Sequence, residues 1–167
     1  MADKYIRNNA GTLTEKEATV ISAGAGDAGE IVALDNTGRL DNSVMPVGFG
    51  DDTAVVTAGE NLAAGDFVNV YNDSGAKVRK ADATTAGKEA HGFVLSAFDS
   101  GDPANVYFEG TNTQVSGATA GIVYLATSAG GFTSTAPSSS GNVVQKLGVA
   151  VSATAISFEG QQPIVLA

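Results

Sequence analysis

The stretch Ala64 to Gly110, AGDFVNVYNDSGAKVRKADATTAGKEAHGFVLSAFDSGDPANVYFEG, returns in shortened form as Ala120 to Gly160, AGIVYLATSAGGFTSTAPSSSGNVVQKLGVAVSATAISFEG. Ala64-Gly65 corresponds to Ala120-Gly121, Gly75 to Gly130 or Gly131, and Gly92-Phe93-Val94 to Gly148-Val149-Ala150. The closing Val106-Tyr107-Phe108-Glu109-Gly110 corresponds to Ile156-Ser157-Phe158-Glu159-Gly160. Short apolar runs about ten residues apart, separated by Gly-rich turns, read as strands of an all-β barrel or sandwich. A duplication of such strands, with no catalytic set repeated in it, points to a scaffold. Each half is too small to enclose a core alone. The halves are therefore expected to pack as one compact, pseudo-symmetric β-barrel; two small barrels in a row are the alternative.

Within the first repeat, about residues 53–110, Val55-Val56 opens the domain and Phe67 to Tyr71 is a strand. Asn72-Asp73-Ser74-Gly75 is a turn of residues that tolerate left-handed backbone. Lys77-Val78-Arg79-Lys80 alternates as an exposed strand does, and Asp82 to Glu89 is a loop. Gly92 to Phe98 and Asn105 to Phe108 complete the repeat. The second repeat, about 111–167, has Ile122 to Leu125, Phe132 to Thr135, Leu147 to Val151 and Ala155 to Phe158. Leu147, Val149 and Val151 stand at period two and are expected to share one buried face. The apolar tail Pro163 to Ala167 is expected to be an added strand or a contact with a neighbour.

Residues 1–52 read differently. They are poor in large apolar residues and carry Gly11, Gly24, Gly26, Gly29, Gly38, Gly48 and Gly50. Thr14-Glu15-Lys16-Glu17 has the spacing of a helix-starting capping box. The β-branched residues after it and the Gly-Ala-Gly that follows stop a helix within two turns, so the element is ambiguous. Glu30 to Leu34 reads as a brief strand with Asn36-Thr37-Gly38 as its turn. A segment with so little to bury does not recover its own ordering entropy. It reads as an extended N-terminal arm that orders against another surface, preceding a β-barrel domain over residues 53–167.

Composition agrees with this division. Of 167 residues, 43% are apolar but only 16% are charged, and 21 are glycine, which suits turns and strands better than helices. The net charge is −9 and the nine Lys and Arg are scattered. Phosphate-backbone binding draws on clustered basic residues, so no nucleic-acid contact is expected. An acidic surface suits solubility or a basic patch on a protein partner. The absence of cysteine excludes disulfides and thiolate metal sites. Met1-Ala2-Asp3-Lys4 lacks the apolar core of a signal peptide and no run reaches membrane-spanning length, so the chain is expected to be made in the cytoplasm with no membrane partner.

No residue set meets the requirements of catalysis, a cofactor or a metal. His91 has no nucleophile or second ligand at fixed spacing, and the second repeat places Leu147 there. Asp51-Asp52, Asp73, Asp99 and Asp102 fit turns and junctions, without the six-ligand calcium loop. Glu109 and Glu159, each before a Gly after an apolar strand, could face each other as a glycosidase pair; common descent of the repeats explains them more simply. Gly24-Ala25-Gly26-Asp27-Ala28-Gly29 matches a dinucleotide fingerprint in letters but is not followed by a helix that could hold a pyrophosphate. No Ser stands in a Gly-x-Ser-x-Gly elbow. The chain reads as a protein without enzyme activity.

Gly29 to Pro46, GEIVALDNTGRLDNSVMP, resembles a module of tailed-bacteriophage structural proteins with the pattern Leu-Asp-x-x-Gly-Arg-Leu-Asp-x-Ser-x-Met-Pro. Leu62 to Val68 together with Gly92-Phe93-Val94 resembles the β-barrel of phage capsid cement proteins. The resemblance implies a capsid decoration (cement) protein on the exterior of the virion head. Such a protein binds the major capsid protein as a homo-oligomer, with a trimer favoured, and stabilises the head against internal DNA pressure. Ile31, Leu34, Arg39, Leu40, Val44, Met45 and Pro46 are the candidate capsid or protomer contacts. A tail fibre or spike adaptor for host attachment is the alternative, and a polysaccharide-active enzyme is a third class resting only on Glu109 and Glu159.

Overall fold

Glycine turns and β-branched runs dictate an all-β chain, and the structure, a computed structural model that describes residues 3–45 and 52–167, is all-β with no helix of seven or more residues among them. The chain divides into two units, Met1–Gly50 and Asp51–Ala167.

In the first unit, β1 (Lys4–Asn9) and β2 (Thr12–Glu17) form an antiparallel hairpin, with Tyr5 opposite Lys16 and Arg7 opposite Thr14. Ala10 and Gly11 turn it in left-handed backbone, φ 50° and 92°, a conformation a two-residue hairpin turn needs. The element left ambiguous at Thr14 to Glu17 is thereby a strand: pairing with β1 uses the backbone groups that a helix would have bonded internally. Glu30 to Leu34 is also less than the brief strand expected. Its ladder is one parallel bridge, Val32 with Thr19, because the following Asp35 turn ends the pairing. Two short 3-10 turns, Ala25–Asp27 and Asn42–Val44, complete the described part of this unit.

The second unit begins with β3 (Thr53–Ala58), β4 (Phe67–Asn72), β5 (Ala76–Lys80), β6 (Gly92–Val94) and β7 (Pro103–Tyr107). These five close a barrel in the order β3-β5-β4-β6-β7, the seam being a parallel pairing of Thr57 with Lys77 and Ala58 with Val78. There follow β8 (Gly110–Asn112), β9 (Gly121–Leu125), β10 (Phe132–Thr133), β11 (Val143–Val144), β12 (Lys146–Ser152), β13 (Ala155–Phe158) and β14 (Ile164–Val165). Five of them form a sheet in the order β10-β9-β12-β13-β8, and the tail strand β14 pairs with β11. The two orders match strand for strand. Phe93 lies opposite Tyr107 and Val94 opposite Val106, just as Val149 lies opposite Ser157 and Ala150 opposite Ile156. The second sheet is the first barrel cut open at its seam.

Why it stays open follows from the faces. Val68, Val78, Val94, Ala104 and Val106 fill the barrel, while their strand neighbours Phe67 and Phe93 point outward. Those two rings meet Val123, Leu125, Leu147, Ala150, Ile156 and Phe158 of the second sheet in one shared core. Ala150 and Ile156 match Val94 and Val106, so the second sheet uses its barrel-interior face to cover the outside of the first barrel. Phe158 stands 5.7 Å from the Phe67 ring and 5.8 Å from that of Phe93. The expectation of one barrel shared by both halves is corrected: the first repeat closes alone, and the common element is the core.

Period two also fails once. Leu147 is buried, but Val149 and Val151 are exposed and Ala150 is buried in their place. A register shift between Lys146 and Gly148 inserts an extra residue opposite β9 and reverses the alternation beyond it.

Candidate functional site

The first unit is organised by polar side chains. One hairpin face presents Tyr5, Arg7 and Lys16, and all three converge on Glu30. The Tyr5 hydroxyl donates to Oε2 at 2.6 Å, Arg7 Nη1 to Oε1 at 3.2 Å, and Lys16 Nζ also to Oε1. The Lys16 ammonium first, then the Tyr5 hydroxyl, holds the Glu30 carboxyl below its ordinary range. Asp35 builds the next turn: its Oδ1 accepts from the Thr37 and Arg39 amides and the Thr37 hydroxyl. Its carboxyl is lowered by the Arg39 amide first and the Thr37 hydroxyl second. Asp41 caps the Asn42–Val44 turn by accepting from the Ser43 amide at 2.9 Å, an N-cap role in the sense of a short helix start.

Around this frame the apolar side chains are left outside. Among the described residues 3–45 none is buried. Ile6, Leu13, Ile21, Ile31, Val32, Leu34 and Leu40 are all exposed, from 44% at Val32 to 71% at Leu13. Of the candidate contacts, Ile31, Leu34, Arg39 and Leu40 are exposed, with Leu34 and Leu40 flanking the Asp35–Arg39 reversal. Val44 and Met45 are half-buried; Val44 lines a small cavity with Thr19, Ser22, Asp27, Glu30, Val32 and Ser43. Pro46 lies outside the described residues. Glu30, the centre of the frame, was not singled out by sequence reasoning. A carboxylate followed by four apolar residues looks like a strand flank, and its three partners are 14 to 25 positions away.

The barrel unit holds a cleft of about 400 Å³ where the repeats meet. It is lined by matched pairs, Phe108 with Phe158 and Glu109 with Glu159, and also by Glu89, His91 and Gln145. The structure thus brings Glu109 and Glu159 to one cleft. Both carboxylates are exposed, whereas a glycosidase acid sits in an apolar pocket that keeps its proton. His91 is engaged structurally, its Nδ1 accepting the Val70 amide at 3.0 Å. Gln145 closes the cleft's inner wall: Oε1 accepts from the Ala90 amide and Nε2 donates to the Ala90 carbonyl, both at 2.8 Å. No buried polar side-chain atom lacks a partner, and no group of three potential metal ligands occurs, among the described residues. Asp82, buried in the long loop, would be raised by burial, but bonds from Thr84 and Lys88 outweigh that and leave it lowered.

No family model matches the chain, and no curated protein matches it.

Proposed function

We propose that this chain is a structural virion protein, a capsid decoration (cement) protein that binds the outer surface of a phage head and stabilises it against internal DNA pressure. The observation that carries the reading is the arm: seven exposed large aliphatic side chains on a hydrogen-bonded frame in which no described residue is buried. Complete burial of one such side chain is worth roughly 1.5–3 kcal/mol. Partial cover of several on a shell subunit reaches the order of the −8 kcal/mol of a micromolar contact before association costs. Repetition over equivalent shell sites makes a modest single affinity sufficient. The partner is the major capsid protein, met by an acidic chain of net charge −9. The protein acts as a homo-oligomer, a trimer by preference, without chemistry of its own.

Mixing the labelled protein with expanded empty heads and with whole virions tests this. Label at saturating stoichiometry over the whole head is the expected result. Label confined to a tail tip would replace the reading with that of a fibre or spike adaptor. Glu109→Gln with Glu159→Gln is expected to leave head binding unchanged.

A further inference from the structure

In the first repeat β6 is only 3 residues long, and it pairs with β4 at Phe67 and Val68 alone. Past Val68 the side of β4 that faces β6 has no further ladder partner among the described residues. The residues just before β6 take over there with side chains. The His91 amide donates to the Val68 carbonyl at 2.8 Å, and Asn69 Nδ2 donates to the Glu89 carbonyl at 2.7 Å. Val70, on the same edge as Val68 by strand alternation, sends its amide to the ring of His91, where Nδ1 accepts it at 3.0 Å.

The second repeat meets the same donor differently. Gly92 lies opposite Val68, and its matched Gly148 lies opposite Val123. Two residues on, Val70 therefore corresponds to Leu125 by ladder register. The Leu125 amide donates to the backbone carbonyl of Gln145 at 2.9 Å. A peptide carbonyl accepts at every pH, whereas an imidazole nitrogen accepts only while it carries no proton. His91 is the single histidine of the chain, and histidine is the side chain whose ordinary change of charge falls between about pH 5 and 8.

The His91 ring stands in the cleft between the repeats, which is also lined by Glu89 from its own segment, Glu109 from the end of β7 and Glu159 from the end of β13. None of these three carboxylates is ion-paired among the described residues. The neighbouring cations are engaged elsewhere, Arg79 Nη2 with the Gly87 carbonyl and Lys88 Nζ with Asp82. An imidazolium accordingly has acceptors in its own cleft. Ala90, next to His91 in the chain, is the residue that Gln145 of the second repeat holds by amide and carbonyl.

We propose that His91 is a proton-operated latch on the open half of β4. As neutral imidazole it caps the Val70 amide. When solvent supplies the second ring proton, both nitrogens become donors and the cap is released, beside the contact that joins the two repeats. The exposed position of His91 gives the proton access. The inference is independent of head binding.

Amide exchange of the full chain, followed by NMR from pH 8 to pH 5 with each rate divided by its intrinsic rate at the same pH, tests this. Protection of the Val70 amide is expected to fall about fivefold or more, while that of Leu125 stays level. Ring nitrogen shifts at pH 8 are expected to place the proton of His91 on Nε2. His91→Asn offers a side-chain oxygen that does not titrate, and it is expected to make Val70 protection level across the range. A proton on Nδ1 at pH 8, level Val70 protection in the unaltered chain, or a fall that persists in His91→Asn would overturn the proposal.

Discussion

A Cβ at Gly148 would overlap the Ser157 carbonyl oxygen, and one at Gly92 the carbonyl oxygen of Tyr107. These are matched positions of the two repeats, so one close strand approach has been kept twice. Gly148 also lies at φ 144°, where a side chain is strained. Gly148→Ala is expected to destabilise the barrel unit by roughly 2–4 kcal/mol and Gly92→Ala by about 1–3 kcal/mol, measured by chemical denaturation. The equivalence of the two glycines is legible in the sequence alignment of the repeats; the carbonyl each faces is not. Glu30 is the opposite case, invisible in the sequence because its partners are remote. Its lowered carboxyl, like those of Asp35 and Asp41, lies below the unfolded value. The stabilisation each gives is therefore complete above the ordinary carboxylate range, near pH 4 to 4.5, and is lost as pH falls through the lowered folded value. Hydrogen exchange of the β1–β2 amides should hold from neutral pH to about pH 4.5 and lose protection below it. Glu30→Gln should remove much of that protection at neutral pH as well.

At the scale of elements, strands with plain alternation or apolar runs were readable. Phe67–Asn72, Ala76–Lys80, Gly121–Leu125 and Ala155–Phe158 lie within a residue of the segments the sequence marks. Others were not, and two of them show why. Thr14 to Glu17 carries a local helix signal that strand pairing across a tight turn overrides. In β12 a bulge reverses the face of everything after Leu147, and a bulge leaves the residue pattern looking regular. Joining elements also escaped the sequence. Gln145 holds Ala90 across 55 positions by two 2.8 Å bonds, and Asn112 reaches the Gly65 carbonyl at 2.9 Å. Gln145→Leu leaves the amide and carbonyl of buried Ala90 without those partners. It should cost roughly 2–4 kcal/mol, read as a lower denaturant midpoint with an unchanged slope.

For the molecule as a whole, the duplication yields a division of labour within one core. The first repeat seals itself into a barrel, and the second, opened, wraps the first barrel's outer aromatic wall. The core of the described residues begins at Ala58, and none of it comes from residues 3–45. The composition of the chain foretold that contrast, since glycine and polar residues dominate before Asp51. The aliphatic residues of the first unit are legible in the sequence; that seven of them stay exposed is not. The barrel unit should consequently melt almost unchanged when the arm is removed. The most direct measurement compares the full chain with a chain beginning at Asp51 for binding to expanded heads, alongside their thermal melts. The account predicts a truncated protein that melts within a few degrees of the full chain (on the scale set by about 1 kcal/mol) and no longer decorates heads. A truncated protein that decorates heads at full stoichiometry would contradict it.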